Sequence, residues 1–400
     1  MGGVSVVAPD TLIPPLLGEL GAPGWLIAIS PQLMLLGFMV TPLFFAHLVE
    51  GRQRILSYLL FWGIFQRLPF LLAGIVLFGA AWVPDWCVMA AIAAAPFCSG
   101  LLGGVAVSAW SAMVAKTVAP ERRASLMAIR NTIGALLGIG AGFLVEWILA
   151  VAPGTAGYAW LHIIAFALLM GSWLFFMGVR EPMERVPEGN AGSFLENLRR
   201  IPRTLRDDRR FLRYLGALSC GHGILIILPF LSIHALKVLQ APTSFAGVLL
   251  AAKSAGVFAG NFLGALLGDR FGGKCIFLTA FGAFFLVAVL SLVVESRLAF
   301  ILLFFLFGMG FTMRMVGQQT MTLELAPPGR LPTYFAIGLS GTAPFMLLAA
   351  GVAILGQAYG ERIDAFWPLA VPSAAATAAA FIFMLGVREP RSDRKRGFEE

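Results

Sequence analysis

Along this chain apolar residues come in runs of about twenty, separated by short polar breaks, and the two-residue alternation of a half-buried strand is absent. A bilayer core about 30 Å thick takes about 20 mostly apolar residues per helix. The pattern predicts twelve such spans, at roughly 4–20, 25–48, 55–80, 86–115, 124–150, 157–179, 212–236, 243–267, 275–295, 298–325, 331–358 and 364–387. Runs this continuous exclude a transmembrane barrel, whose strands alternate apolar and polar positions. The predicted fold class is therefore all-α integral membrane. The first run is unusual, lacking a basic flank and carrying Pro9, Pro14 and Pro15. It reads either as a short, broken helix or as one whose first turns lie upstream of Met1, and no charged head and cleavage site of a secretory signal is visible.

The longest polar interruption, Arg180 to Arg213, splits the chain in two, and both halves close on the same five residues. Gly178, Val179, Arg180, Glu181 and Pro182 end the first; Gly386, Val387, Arg388, Glu389 and Pro390 end the second. The same offset of 208 also pairs Met113 with Met321, Pro120 with Pro328, Arg122 with Arg330, Ala128 with Ala336 and Ile129 with Ile337. A constant offset across separate segments indicates a duplicated unit. The expected organisation is two pseudo-symmetric six-helix bundles, 1–179 and 212–387, joined by a basic linker at 180–211 and followed by a tail at 388–400. Within the linker, Phe194, Leu195, Leu198, Ile201 and Leu205 interleave with Arg199, Arg200, Arg203 and Arg206. That spacing suits an amphipathic helix on anionic membrane lipid; Pro202 weakens it, and a solvated linker fits equally.

Composition agrees with the pattern. Hydrophobic residues make up 59% of the chain and charged residues 12%, with a mean hydropathy of +0.85, whereas soluble domains carry about 25% charge. The net charge of +8 does not imply nucleic acid, because the basic residues follow membrane sidedness. Of the 29 Lys and Arg, 22 fall on the side shared by both termini and the central linker. Only Lys237, Arg297 and Arg362 fall on the other, and Arg67, Arg130, Lys253 and Arg314 lie within spans. Both termini are thus expected in the cytoplasm, of a multi-pass protein in a plasma membrane, the inner membrane in a bacterium. Cys87, Cys98, Cys220 and Cys275 lack metal-site or redox spacing and read as packing residues.

After the eighth span comes Gly264, Ala265, Leu266, Leu267, Gly268, Asp269, Arg270, Phe271, Gly272, Gly273, Lys274. This resembles the signature loop of the major facilitator superfamily, found between the second and third helices of a six-helix half. The first-half counterpart, from Ala46 to Arg54, is eroded: Glu50 stands where the aspartate belongs, followed by Gly51, Arg52, Gln53 and Arg54. The resemblance implies two bundles that rock about a central cavity to give alternating access. It implies that Glu50, Arg52, Gly268, Asp269, Arg270 and Lys274 are conformational rather than substrate residues. It also implies that helices 1, 4, 7 and 10 line the cavity, with 2, 5, 8 and 11 beside them.

A charge within a bilayer costs about 2.5–3.5 kcal/mol even on the lenient insertion scale, so each needs a partner or a wet cavity. At about 1.5 Å per residue, Arg67, Lys253 and Arg314 each lie roughly 15–18 Å from a span end, near mid-membrane, with Asp10 at similar depth and Arg130 shallower. Lys253 shares a helix face with Gly256, Gly260, Gly264 and Gly268, whose four-residue spacing marks close helix approach. Gly310, Arg314 and Gln318 form a second stripe, with Gly317 beside it, as a cavity wall would. His222 stands between Gly221 and Gly223, where a ligand has room, although a lone helical histidine more often satisfies a local hydrogen bond; His47, His162 and His234 lie near span ends, where interfacial placement is the default. The candidate substrate-binding or coupling residues are Asp10, Arg130, His222, Lys253, Arg314 and Gln318. Arg67 reads as structural, bonding a carbonyl or an acid between helices. The glycines of the fifth span, Gly134, Gly138, Gly140 and Gly142, are similar to those of the drug-exporter motif but lack its Gly-Pro pair, and read as close packing.

More intramembrane cations than acids, with Asp10 and Glu146 the clear acids, favour an anionic solute. Asp10 either pairs with Lys253 or Arg314 or takes up a proton. The leading reading is a secondary active transporter of a small organic solute, anionic and working by alternating access. Proton or sodium would be its coupling ion, with no cofactor, no metal site and a monomeric state. Two alternatives stay open: an exporter of hydrophobic compounds, and a non-transporting assembly or sensing relative of the fold. No nucleophile, HExxH or phosphate-loop motif is present, so an enzyme or an ATP-driven pump is not expected.

Overall fold

The computed structural model describes residues 2–45, 54–118, 120–182, 208–325 and 341–388, together with Tyr334, Ile337 and Gly338. Its elements are α1 (Gly2–Val7), α2 (Ile13–Glu19), α3 (Gly24–Phe45), α4 (Leu56–Phe78), α5 (Asp85–Thr117), α6 (Pro120–Val151) and α7 (Thr155–Met177). In the second half follow α8 (Arg209–Gly221), α9 (Ile224–Leu239), α10 (Phe245–Phe271), α11 (Gly273–Leu290), α12 (Arg297–Leu325), α13 (Ala343–Ile363) and α14 (Trp367–Leu385). Among the described residues, eleven stretches are long and apolar enough to cross a membrane, α8 and α9 counting as one. The pair α1–α2, at the start of the chain, supplies the remaining one of the twelve spans. The chain is all-helical, as the apolar runs predict.

Two spans are broken, each for a local reason. Pro9 disfavours helical geometry at the residue before it, and Ala8 there adopts a left-handed φ of 31°, so α1 stops and α2 restarts at Ile13. This agrees with the broken-helix reading of the first run. The seventh span was expected as one helix but divides at His222–Gly223, where the backbone bonds shorten to three-residue steps: His222 to Ser219, Gly223 to Cys220, Leu225 to His222 and Ile226 to Gly223. Its neighbours press close at this point, since a Cβ on Gly221 would stand 2.5 Å from the Phe281 ring and one on Gly223 would fall on Ala376.

The contacts divide the chain into two units, Met1–Phe194 with Pro242–Leu250, and Leu195–Ala241 with Ala251–Glu400. In the first, α4 lies between α5 and α7, and α1 rests on α6 and α7. In the second, α11 lies between α12 and α14, with α8 resting on α14. Span 3 with 4, 3 with 6 and 1 with 6 therefore recur as 9 with 10, 9 with 12 and 7 with 12.

The duplication also fixes how the second and fourth helices of each half cross. A Cβ on Gly37 of α3 would meet the Leu101 amide and the Phe97 carbonyl; one on Gly256 of α10 would meet the Phe305 carbonyl and the Met309 amide. The reciprocal glycines, Gly100 of α5 and Gly308 of α12, sit on the carbonyls of Met34 and Lys253. Phe97, Gly100 and Leu101 lie 208 positions before Phe305, Gly308 and Met309, while Met34 and Gly37 lie 219 before Lys253 and Gly256. One backbone-to-backbone crossing is thus used twice, without large side chains between the helices.

The glycine face of α10 is used unevenly. A Cβ on Gly256 or Gly260 would strike the α12 backbone and one on Gly268 would stand 2.9 Å from Ile276 of α11, but one on Gly264 would make only ordinary contacts, the nearest at 3.7 Å. Among the described residues, a Cβ on Gly140 of α6 would meet nothing within 4 Å, so close packing does not explain that glycine. Leu72, Phe175, Val293 and Leu355 stand more than half exposed, a surface suited to lipid.

Candidate functional site

Within the second unit, α8, the break after it and α12 bring polar side chains together in an otherwise apolar interior. Arg314 of α12 is 8% exposed and His222 is 3% exposed. The His222 Nδ1–H donates to the carbonyl of Leu218 at 3.0 Å, which leaves Nε2 as an acceptor, and Arg314 Nη2 donates to it at 3.2 Å. The tautomer follows from that network. Among the described residues, Arg314 Nε is buried without a hydrogen-bond partner. One turn along α12, Gln318 Nε2 donates to the carbonyl of Gly338 at 3.2 Å. The Tyr214 hydroxyl donates to the carbonyl of Gln318 at 3.3 Å and shares a 3.1 Å hydrogen bond with the Thr322 hydroxyl.

The structure thus joins three of the six candidate residues, His222, Arg314 and Gln318, and adds Tyr214 and Thr322. Polar residues at the opposite positions of α8 and α12 were the signal for these two, diluted by the apolar spans around them. The other three candidates lie elsewhere. Asp10 sits half-buried in the break of the first span and accepts from the Thr11 hydroxyl at 3.2 Å. Arg130 is exposed on α6 with its guanidinium 4.6 Å over the Trp110 ring. Lys253 is half-buried, and its backbone forms the crossing with Gly308.

The Gly310–Arg314–Gln318 stripe is not a cavity wall throughout. A Cβ on Gly310 would stand 3.0 Å from the Phe284 ring and one on Gly317 3.1 Å from the Phe277 ring, so these glycines receive aromatic side chains of α11. Arg67 bonds carbonyls, Leu169 on α7 through Nε at 2.8 Å and Gly63 through Nη1, and so links α4 to α7 as a structural residue would. His162 is not interfacial: it is 1% exposed, with Nδ1 2.8 Å from the Tyr158 carbonyl. His234 stacks on Phe366 with centroids 3.9 Å apart. His47 lies outside the described residues.

Of the loop residues expected to be conformational, Glu50 and Arg52 lie outside the described residues. Asp269 and Arg270 are exposed at the end of α10, with Arg270 5.3 Å over the Phe271 ring, and Lys274 donates to the Leu385 carbonyl at 2.8 Å. The repeated pentapeptide is held differently in each half, and Glu389, the repeat of Glu181, lies outside the described residues. Glu181 accepts from the backbone amides of Ile55 and Leu56 at 2.9 Å each, capping α4, while at the second repeat Arg213 donates to the Gly386 carbonyl at 3.3 Å. A cleft of about 590 Å³ lined by Glu19, Tyr158, Pro242 and Thr243 belongs to the first unit and is separate from the Arg314 cluster. Among the described residues, no three His, Cys, Asp or Glu side chains converge as metal ligands.

The sequence matches the family described as Major Facilitator Superfamily over residues 1–342 and 213–400, which together span the chain. The chain belongs to the major facilitator superfamily. It is accordingly a multi-pass membrane transporter, not an enzyme. Solved structures share the superfamily fold over nearly the whole length. An alanine variant of the nucleoside transporter NupG is 15% identical with a TM-score of 0.69, covering 97% of this chain and 98% of its own. A D-xylose–proton symporter is 13% identical with a TM-score of 0.69, covering 97% and 96%. A bacterial homologue of the iron transporter ferroportin, in an inward-facing state, is 16% identical with a TM-score of 0.67, covering 96% and 95%. No curated protein matches this superfamily member by sequence.

Proposed function

We propose that this transporter carries a small organic anion by alternating access, and that Arg314 is the group that recognises it. The observation that carries the reading is the state of Arg314 among the described residues: a guanidinium 8% exposed, hydrogen-bonded to a neutral histidine rather than a carboxylate, with Nε left without a partner. A buried cation held only to stabilise helices would lose several kcal/mol to desolvation unless an acid or carbonyls offset it. Arg67 meets that condition through two carbonyls; Arg314 does not. Glu324, the acid of α12, is ten residues away, about 15 Å along the helix. A guanidinium edge with Nε free is matched by the two oxygens of a carboxylate or phosphate. On this reading Asp10, Lys253 and Arg130 belong to coupling or to the walls, both termini lie in the cytoplasm, and the membrane is the inner membrane of a bacterium.

Thermal melting of the purified chain tests the proposal, because a ligand that binds only the folded state stabilises it by about 2.7 kcal/mol at a hundredfold excess over Kd. The panel is lactate, gluconate and benzoate as anions, choline as a cation, xylose and uridine as neutral solutes, and Nile red as a hydrophobic compound. Stabilisation by an anion, lost in Arg314→Met, is expected. Stabilisation by Nile red alone would replace this reading with a hydrophobic-compound exporter, and no stabilisation by any compound would favour a non-transporting relative.

A further inference from the structure

His222 occupies a position that a simple binding site does not need. It forms the junction between α8 and α9, is almost fully buried, and spends both ring nitrogens: Nδ1–H on Leu218, Nε2 on Arg314. A proton has one place to add, the Nε2 lone pair, and Arg314 Nη2 already points an N–H at it. A protonated ring would face the guanidinium N–H to N–H, two cations about a hydrogen bond apart in a low-dielectric interior. While Arg314 stays there, His222 is held neutral by geometry.

Among the described residues, the elements packed on this junction carry their other charges toward their ends. Helix α14 carries no ionisable side chain; α11 carries Lys274 and Cys275 in its first turn; α13 carries Tyr359, Glu361 and Arg362 in its last turns. Helix α12 carries Arg297 and Glu324 near its ends besides Arg314. On the seventh span itself, Arg209, Arg210 and Arg213 lie at the start of α8, His234 and Lys237 lie in the last turns of α9, Cys220 is a neighbouring thiol, and Tyr214 is engaged with Gln318 and Thr322. Among the described residues, Arg314 is the charged group in hydrogen-bond contact with His222.

We infer that His222 is the proton acceptor of this transporter, taking a proton at Nε2 only when an anion on Arg314 neutralises the guanidinium or draws it away. The inference rests on the anion reading of Arg314 and adds the coupling ion, a proton, and the residue that holds it. In the step itself, a proton from water adds to the Nε2 lone pair, the Arg314 Nη2–H to Nε2 hydrogen bond breaks, and the anion accepts from Arg314 instead. The carboxylate and the proton together leave the site one positive charge, as it was before either bound. By linkage, each ligand favours the other by the same factor.

The sign follows. The bound anion raises the proton affinity of His222, so anion affinity rises as pH falls through the range where the occupied site takes its proton, by up to about tenfold per pH unit, and levels off once the empty site is protonated too. The test measures binding of lactate, gluconate and benzoate, which stay ionised above about pH 5.5, to the full-length purified chain between about pH 5.5 and 8. Binding heats in buffers of different ionisation enthalpy report the protons taken up. Wild type is expected to bind more tightly at low pH with uptake of up to about one proton per anion. In His222→Gln, whose amide oxygen can still accept from Arg314, affinity is expected to change by less than about twofold across the range, with no proton uptake. Anion binding by wild type at one affinity, without proton uptake, would overturn the inference and leave the anion reading standing. So would a His222→Gln protein that keeps the full pH dependence. Failure of all three anions to bind overturns both. Should His222→Gln not fold, proton uptake by wild type and by His222→Asn decides.

Discussion

Two intramembrane arginines, Arg67 half-buried and Arg314 buried, separate a structural charge from a functional one. Arg67 is satisfied by helix carbonyls and Arg314 is not. Replacing a buried ion with an apolar side chain of similar volume is often neutral or stabilising, whereas function retains charges that stability alone would discard. Arg67→Met should therefore fold and transport, with a melting temperature within a few degrees of wild type. Arg314→Met should melt no lower than wild type without ligand, yet lose stabilisation by anions. A fall in melting temperature for Arg314→Met of the size expected for a broken buried ion pair, about 3–5 kcal/mol, would mark it as structural instead. Glu181 is a third case. It receives two backbone amides of α4, so Glu181→Ala should cost about 1–2 kcal/mol in unfolding free energy, read from denaturation in detergent, without changing ligand specificity. At this scale the chain was partly legible. An arginine in the middle of an apolar run announces itself, and so does the glutamine four residues on. That His222 would meet Arg314 was hidden, because the two are 92 residues apart and the helix break that turns the ring inward is not visible in periodicity.

Helix packing in lipid relies on close approach, since tails are as apolar as leucine and give no hydrophobic drive between helices. The glycines therefore carry energetic weight only where a backbone opposes them. Gly308→Ala places a methyl on the Lys253 carbonyl and should destabilise by about 1–3 kcal/mol, with Gly100→Ala behaving alike because it meets Met34 in the equivalent crossing. Gly140→Ala meets open space and should be neutral or stabilising by up to about 1 kcal/mol, as for any exposed helical glycine. Thermal melts of the three variants side by side check the ranking. The uneven use of the four-residue glycine repeat was not readable from spacing, which gives the face but not what lies across it: Gly256 and Gly264 look identical in sequence and differ entirely in their neighbours. The breaks divide the same way. Pro9 made the first legible, whereas the second depends on Phe281 and Ala376 from distant helices crowding Gly221 and Gly223.

At the scale of the whole molecule, duplication is the feature the sequence showed most plainly, and it constrains orientation. Each half has an even number of spans, so both halves enter from the same side, and the basic loops cluster there. A second property is independent of charge. The six tryptophans that stand about half exposed or more are Trp25, Trp82, Trp86, Trp147, Trp160 and Trp367, and all fall at span ends opposite the basic loops. Tryptophan prefers the headgroup level, so each of these rings marks the far end of its own span, while arginine anchors the near one. Were one span miscounted, the tryptophans after it would be divided between the two faces, which makes their agreement a check on the twelve-span assignment. The expected outcome is that a single cysteine at Ser296, exposed in the turn before α12, reacts with a membrane-impermeant maleimide added outside intact cells, whereas one at Ser392 in the tail reacts only after the membrane is opened. Both measured in a background without Cys87, Cys98, Cys220 and Cys275, the pair fixes the direction of the second half. Reaction of the tail cysteine from outside would invert the molecule and put its positive loops on the wrong face, a result that neither the arginine count nor the tryptophan positions could accommodate.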